Sequence, residues 1–544
     1  MESCSQLYIR KIIDSILNNI KQRHNNILFV KYYNTLNLRE SGLREVFETQ
    51  DDDICFLYHE FSSKYMHSVF EPFLDWIMEL YQKFYSDVAI DEFLEKADVY
   101  FQARSVIKSY IETGECQRDE DLIFAEYEYE AKRFTKSVYN ILEYVSKEHT
   151  LFLLLNKLHF AEQSTIKLLI ELVNHNKENI ALLANYNEVY NVPEYTKKDW
   201  DTMIDYIDSN NMIVDWSLQD GHASESERVE LFDPIPKDIN PYVRLINNMV
   251  SCVMIGQANY YLEQIHNKFE IEKITIPLKD KLSYLKLYSI VALCLDNSTT
   301  ALMLCDNINN SIKMTTSLEE RFSCSYISAL IQLRYGQKET SNKYIQECFD
   351  LSDEIDDEEY KFKAKLLDYI ITSNCWKNIY SWDVNLIIDE NFANDAIKYK
   401  YYNHLAYIYL FGTCNDILYF VNGTDGIENA EYFKRGMALA KKINNESIMI
   451  KAWQKNVMMA SSYGYFSLVD YFYKKTLEII EGQNNKFEES NVYNGLGYNR
   501  IVSEEYDVAN KYFNKALGIL YKLNNPYRIC ETLYNMATNA ILAH

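Results

Sequence analysis

A chain of 544 residues with only 14 Gly and 7 Pro carries less than half the ~7% Gly and ~5% Pro of an average protein, which excludes turn-rich sandwiches and barrels as well as Pro-rich disorder. Its 48% hydrophobic content instead implies several cores built from long helices joined by Asn and Asp turns. The 79 acidic and 55 basic residues leave a formal charge of −24. That surface repels phosphate backbones and anionic lipid, and no local basic patch offsets it, so neither direct nucleic-acid contact nor a membrane partner is expected.

In chain order, the first ~235 residues mix short strands with helical text. Apolar runs bounded by polar residues predict strands at Ile27 to Val30, Ile54 to Leu57, Leu151 to Leu155, Ile180 to Ala184 and Met212 to Trp216, the pattern of strands buried on both faces of a parallel sheet. Helical periodicity fills the intervals: EPFLDWIMELYQKFY, DEFLEKADVYFQARSVIKSYI, EYEYEAKRFTKSVYNILEYVSKE and STIKLLIELVNHN. Alternating strands and helices predict an α/β three-layer domain over residues 1–235, ending in the polar stretch Gln219 to Pro241. Everything after it reads helical, as divergent hairpins over 236–340 and regular repeats over 341–544, so the chain is mostly α overall.

The repeats show by offset. When EYFKRGMALAKKINN, DYFYKKTLEIIEGQNN and KYFNKALGILYKLNN are aligned, Gly436, Thr476 and Ala516 fall 40 residues apart. In Val492 to Leu517, Gly497 and Ala509 are small where two helices would approach, while Tyr506, Phe513 and Leu517 are large where the next helix packs; Ala516 is a further small packing position. This is the small and large pattern of a tetratricopeptide unit, and it predicts an all-α solenoid in which each hairpin covers the apolar face of the last.

Eleven widely spaced Cys, with no Cys-x-x-Cys pair, read as buried, reduced thiols. With no apolar run long enough to span a bilayer and no leader layout at the first residues, a cytoplasmic location is expected. The acidic stretch Asp353 to Glu359 lacks the alternating ligands and central Gly of a calcium loop, so no metal is expected. His159 reads as a structural histidine beside the third strand.

The first ~235 residues resemble the P-loop module of STAND ATPases, the maltose-regulator type in which tetratricopeptide repeats follow the ATPase. Phe152 to Val173 (FLLLNKLHFAEQSTIKLLIELV) resembles the Walker B strand and following helix, Asn179 to Tyr190 the sensor strand, and Asn26 to Glu48 the Walker A strand, loop and helix. The catalytic residues differ. Where the resemblance implies Gly, Lys and a Mg²⁺-binding hydroxyl, this chain has Leu38, Arg39 and Glu40; where it implies two Asp, Asn156 and Lys157; and where it implies the sensor Arg, Asn187. A phosphate loop with Glu40 beside the phosphates and no carboxylate for Mg²⁺ lacks the means to hydrolyse a nucleotide. The expectation is therefore a pseudo-ATPase that needs no cofactor. It would be a regulatory or scaffold protein binding a protein or peptide through its repeats, with an active ATPase paralogue as a possible partner. Two alternatives stand beside it: an atypical signalling ATPase in which Arg39 replaces the Lys, and a tetratricopeptide co-chaperone.

Overall fold

In the computed structural model of the chain, which describes residues 26–32, 54–62, 66–118, 122, 127–175, 178–187, 192–215, 239–272, 277–335, 338–373, 387–412, 427–481, 486–522 and 526–543, the apolar runs pair into one parallel sheet. Its strands are β1 (Ile27–Tyr32), β2 (Ile54–Glu60), β3 (Thr150–Asn156), β4 (Ile180–Asn187) and β5 (Ile213–Asp215), in the spatial order β2-β3-β4-β1-β5. Burial explains the sequence patterns. Central β4 is buried at every residue and β3 at all but Thr150, so both read as unbroken apolar runs, whereas β2 at the edge alternates. The register runs Leu151↔Ile180 through Leu155↔Ala184 between β3 and β4, and Ile27↔Leu182 through Tyr32↔Asn187 between β1 and β4.

Helices α1 (Phe73–Phe84), α2 (Ile90–Lys96), α3 (Phe101–Thr113) and α4 (Tyr127–Ser146) follow β2 in the chain; α5 (Gln163–His175) follows β3 and α6 (Glu194–Ser209) follows β4. In α4 the residues Phe134, Val138, Ile141, Leu142 and Val145 are buried at helical spacing, which is the apolar stripe of a helix packed on a core. The periodic text expected as one helix over Asp91 to Ile111 is two helices. Asp98 takes a left-handed φ of 53°, and the Val99 N–H donates to Leu94 O at 3.0 Å. The break lets both Phe93 and Leu94 before it and Ala103 and Val106 after it be buried.

The chain divides into two compact units, Met1–Glu320 and Arg321–His544. The first therefore includes, besides the sheet, α7 (Asn240–Ser251), α8 (Ile255–Glu272), α9 (Leu278–Cys294) and α10 (Ser298–Ile312). Of the stretch Gln219 to Pro241, where the sequence places a domain boundary, all but Ile239, Asn240 and Pro241 lies outside the described residues.

From α11 (Leu318–Arg334) onward, α12 (Lys338–Ile355), α13 (Glu358–Ser373), α14 (Glu390–Lys398) and α15 (Tyr402–Tyr407) lead to a π turn at Ile408–Gly412. They are followed by α16 (Ile427–Lys442), α17 (Glu446–Ser462), α18 (Phe466–Glu481), α19 (Lys486–Val502), α20 (Tyr506–Lys522) and α21 (Pro526–Leu542). Helices α17, α19 and α21 start 40 residues apart, as do α18 and α20. The turns repeat with them. Gly464 (φ 74°) and Glu504 (φ 60°) occupy equivalent left-handed positions, and Tyr465 N and Glu505 N each donate at 2.8 Å to the carbonyl five residues back. That is the Schellman closure of a helix end. Asn499 Nδ2 donates to Phe466 O at 3.4 Å and Asn539 Nδ2 to Tyr506 O at 3.0 Å, the same tether one period apart.

Packing between the helices is small against large. A Cβ added at Gly497 would lie 2.5 Å from the ring of fully buried Phe513 on α20, and one at Gly495 would meet Tyr473 on α18. Two residues apart on a helix is about 200° of rotation, so the two glycines admit aromatic rings from opposite sides of α19. Ala509 and Ala516 are fully buried, and Ala509, Phe513 and Ile501 form one apolar cluster against which Tyr506 packs.

Gly497→Leu should therefore destabilise this unit by roughly 1–3 kcal/mol through overpacking. Gly518, mid-helix on α20 with open space where a Cβ would go, should gain ~0.5–1 kcal/mol on mutation to Ala from the helix preference alone. Urea denaturation followed by circular dichroism measures both changes.

Candidate functional site

The sheet topology marks one crevice. The chain leaves β1 toward β2 and leaves the adjacent β4 toward β5, in opposite directions across the sheet. Ligands of open parallel sheets bind outside the carboxyl ends of strands at such a reversal. Tyr32 ends β1, Asn187 ends β4 and Asn156 ends β3, and all three are buried.

These ends are built from carboxamides and one histidine. Asn156 is fully buried, and among the described residues its Oδ1 accepts no hydrogen bond. Lys157 follows in a left-handed conformation (φ 59°), and its N–H donates to Asn185 Oδ1 at 2.7 Å. Its ammonium turns to Glu60 at the end of β2, with Nζ 3.0 Å from Oε1. Against partial burial, which would raise it, the contact with Lys157 holds the Glu60 carboxyl below its ordinary value, and Tyr58 and Asn156 add to the effect. His159, in the 3₁₀ turn Leu158–Phe160, accepts the Asn187 N–H on Nδ1 at 3.1 Å, with its ring 6.3 Å from that of Tyr32. Burial, with Lys157 adding, pushes this imidazole down to about 3. It is a neutral acceptor that joins the turn after β3 to the end of β4.

The sequence-predicted residues Asn156, Lys157 and Asn187 thus converge with His159 on adjacent strand ends. Leu38, Arg39 and Glu40 lie outside the described residues. Gly497, Tyr506, Ala509, Phe513 and Ala516 sit together in the α19–α20 hairpin.

A second polar cluster was not legible in the sequence. Glu162, four residues past Leu158, is buried, and the hydroxyls of Tyr195 on α6 and Tyr261 on α8 both donate to its carboxylate. Burial raises the Glu162 carboxyl above its usual range despite these donors, and burial beside Glu162 raises both phenols. Next to it, Glu71 lies 3.3 Å from both His59 and His67, and His67 Nε2 pairs with Ser62 O at 2.6 Å. Against the burial that would raise it, these histidines hold Glu71 well below the ordinary carboxylate range; Glu71 in turn raises His67 against its own desolvation. An acidic residue inside the apolar text of Phe152 to Val173 was the available signal. Its partner Tyr261 is 99 residues away.

Among the described residues no group of three or more His, Cys, Asp or Glu is arranged to hold a metal ion, and no helix is long and apolar enough to cross a membrane.

No protein-family model matches the chain, and no curated protein matches it. Solved structures similar to it include a Rap protein complexed with competence and sporulation factor, at 10% identity over 55% of this chain and 85% of that one, with a TM-score of 0.33. They also include a Signal Transduction ATPase with Numerous Domains (STAND) protein with a tetratricopeptide repeat sensor from Pyrococcus horikoshii, at 13% identity over 96% of this chain and 86% of that one, with a TM-score of 0.31.

A histidine buried neutral stabilises the fold above its unfolded pKa of ~6.5, and that contribution is lost as pH falls toward its folded value. His159 should therefore make stability drop by up to ~1.4 kcal/mol per pH unit below about pH 6. His159→Asn keeps an acceptor near the Nδ1 position and should flatten this slope. Urea midpoints of both proteins at pH 7, 6 and 5 test it; parallel slopes would exclude His159 as the source.

Proposed function

We propose that this chain is a non-catalytic regulatory or scaffold protein. In this reading the helices of the second unit are tetratricopeptide-like repeats that bind a protein or peptide, and the sheet is the framework of a nucleotide switch without its catalytic side chains.

The observation that carries the binding half is the set of large apolar residues exposed along the equivalent faces of two helices. Positions 494, 498 and 502 of α19 correspond to 534, 538 and 542 of α21, 40 residues on. On these strips Tyr498 and Val502 of α19 and Tyr534 and Leu542 of α21 are exposed at 52%, 41%, 73% and 52%. Val502 and Leu542 are equivalent, while Tyr498 and Tyr534 correspond to Thr538 and Asn494, and together they are more exposed apolar surface than a helix pair keeps without an occupant. Asn535 Nδ2 donates to Asn494 Oδ1 at 3.2 Å, which holds the two helices side by side so that their strips form one surface. Gln454 on α17 reaches Glu488 on α19 in the same way at 3.1 Å. Aromatic anchors beside carboxamides suit an apolar peptide, the rings filling pockets and the amides bonding its backbone.

The non-catalytic half is supported at the strand ends. Asn156 and Asn187 offer neutral carboxamides, and Lys157 is engaged with Glu60, so none of them supplies a carboxylate for Mg²⁺ or a base for water. The role left to this unit is docking, including to an active ATPase paralogue.

Peptides selected from a random library against the full chain should lose about tenfold or more in affinity in the double variant Tyr498→Ala, Tyr534→Ala, at an unchanged melting temperature. Binders indifferent to the substitutions would remove the strip from the reading. Phosphate release from Mg-ATP should stay at background; steady release abolished by Arg39→Ala would replace the pseudo-enzyme with the atypical ATPase.

A further inference from the structure

Cys116 and Cys252 are 136 residues apart in the chain, yet their sulfurs lie 3.6 Å from one another, and both residues are fully buried. The contact is framed on each side. Cys116 lies on the strap after α3, which begins at Gly114 in a left-handed conformation (φ 75°). The Cys116 N–H donates to Asn248 Oδ1 at 2.9 Å, and Asn247 Nδ2 reaches the Cys116 carbonyl at 3.5 Å. Two residues on, Arg118 pairs with Glu130 of α4 at 2.8 Å, an ion pair whose side chains are only 9% and 4% exposed. Cys252 ends α7. Its N–H donates to Asn248 O at 3.0 Å, and the turn closes through Val253 (φ 63°) with Met254 N bonded to Met249 O at 2.8 Å. Asn248 thus serves both cysteines, its side chain holding one and its backbone the other.

We propose that Cys116 and Cys252 are a thiol–disulfide site, oxidised by a small organic disulfide to a bond that ties the strap after α3 to the end of α7. A disulfide needs sulfurs about 2.05 Å apart, so closure asks for a shift of roughly 1.5 Å, within the freedom of two χ1 rotations and a strap hinged at glycine. The chemistry is two exchanges. With the strap transiently lifted, the Cys116 thiolate attacks one sulfur of R–S–S–R, forming the mixed disulfide and expelling RS⁻. The Cys252 thiolate then attacks the Cys116 sulfur, breaking the mixed disulfide and expelling the second RS⁻. The two protein thiols give up two electrons and two protons, and R–S–S–R leaves as two R–SH. Burial of both sulfurs makes strap opening the slow step for oxidation and for reduction alike.

The selectivity follows from placement. Among the described cysteines Cys530 is the exposed one, so it should take a glutathione adduct but form no internal bond. Incubation of the full chain with millimolar oxidised glutathione, followed by alkylation and peptide mapping, should yield a linked species joining the Cys116 and Cys252 peptides. That species should be two hydrogens lighter than the separate thiols, and it should be absent from Cys116→Ala and from Cys252→Ala. The oxidised wild type should melt several degrees higher and return to its original midpoint in dithiothreitol. If wild type carries adducts at Cys530 but no Cys116–Cys252 link under conditions that also oxidise both residues when the chain is unfolded, the assignment is wrong. The wild-type map decides this even if an alanine variant fails to fold.

Discussion

The repeats rest on one steric requirement: a helix that packs on both sides must let its neighbours in. Helix α19 meets it with two glycines, one open to Tyr473 of the preceding helix and one to Phe513 of the following helix. Gly436 on α16 gives the same access to Leu410. Three of the described glycines, Gly436, Gly495 and Gly497, therefore stand where an aromatic ring or a leucine touches helix backbone. Many of the turns do without them. Asp98, Asn211, Val253, Asp296, Lys400, Asn444 and Glu504 all adopt left-handed φ values. Each such residue costs some backbone energy, which the Schellman hydrogen bonds across the helix end offset.

At the sheet, the requirement is electrostatic. The carboxyl ends of β1, β3 and β4 meet away from the edges, where an uncompensated charge is costly. The chain meets this with carboxamides, a neutral histidine and a lysine led out to the glutamate at the neighbouring edge. Glu162, six residues past Asn156, is a buried acid that receives two phenol donors. Tyr261 comes from a helix that follows the sheet in sequence, so the turn after β3 is connected on one side to β4 through His159 and on the other to α8 through Glu162. Any change at the strand ends that moves this turn is felt at both contacts.

Among the strands, β3 and β4 were the most legible because a parallel strand buried on both faces has no polar residue to interrupt it. The true ends of β1 to β4 ran further, through Tyr32, Glu60, Asn156 and Asn187, since the polar residues that close a strand look like loop in the sequence. Those ends are also where the candidate site lies. The break at Asp98 was hidden because the residues around it keep helical spacing on both sides. Small-to-large alternation at a 40-residue offset made the terminal repeats legible, as it follows directly from hairpin stacking. Strand order, the Glu162 cluster and the Cys116–Cys252 contact were not legible, because each joins segments that share no period and lie far apart in the chain.

The division between units illustrates the same limit. The polar stretch at residues 219–241 lies within the first compact unit, which runs to Glu320. Asn248 accounts for some of this: by bonding the strap at Cys116, α7 is committed to the sheet-bearing unit before the regular repeats begin. Tyr261 commits α8 in the same way through Glu162. Polarity along a chain reports where water is tolerated, whereas a unit ends where side chains stop reaching back. The two coincide only when no residue past the polar stretch is needed to complete the core before it, and here at least two are.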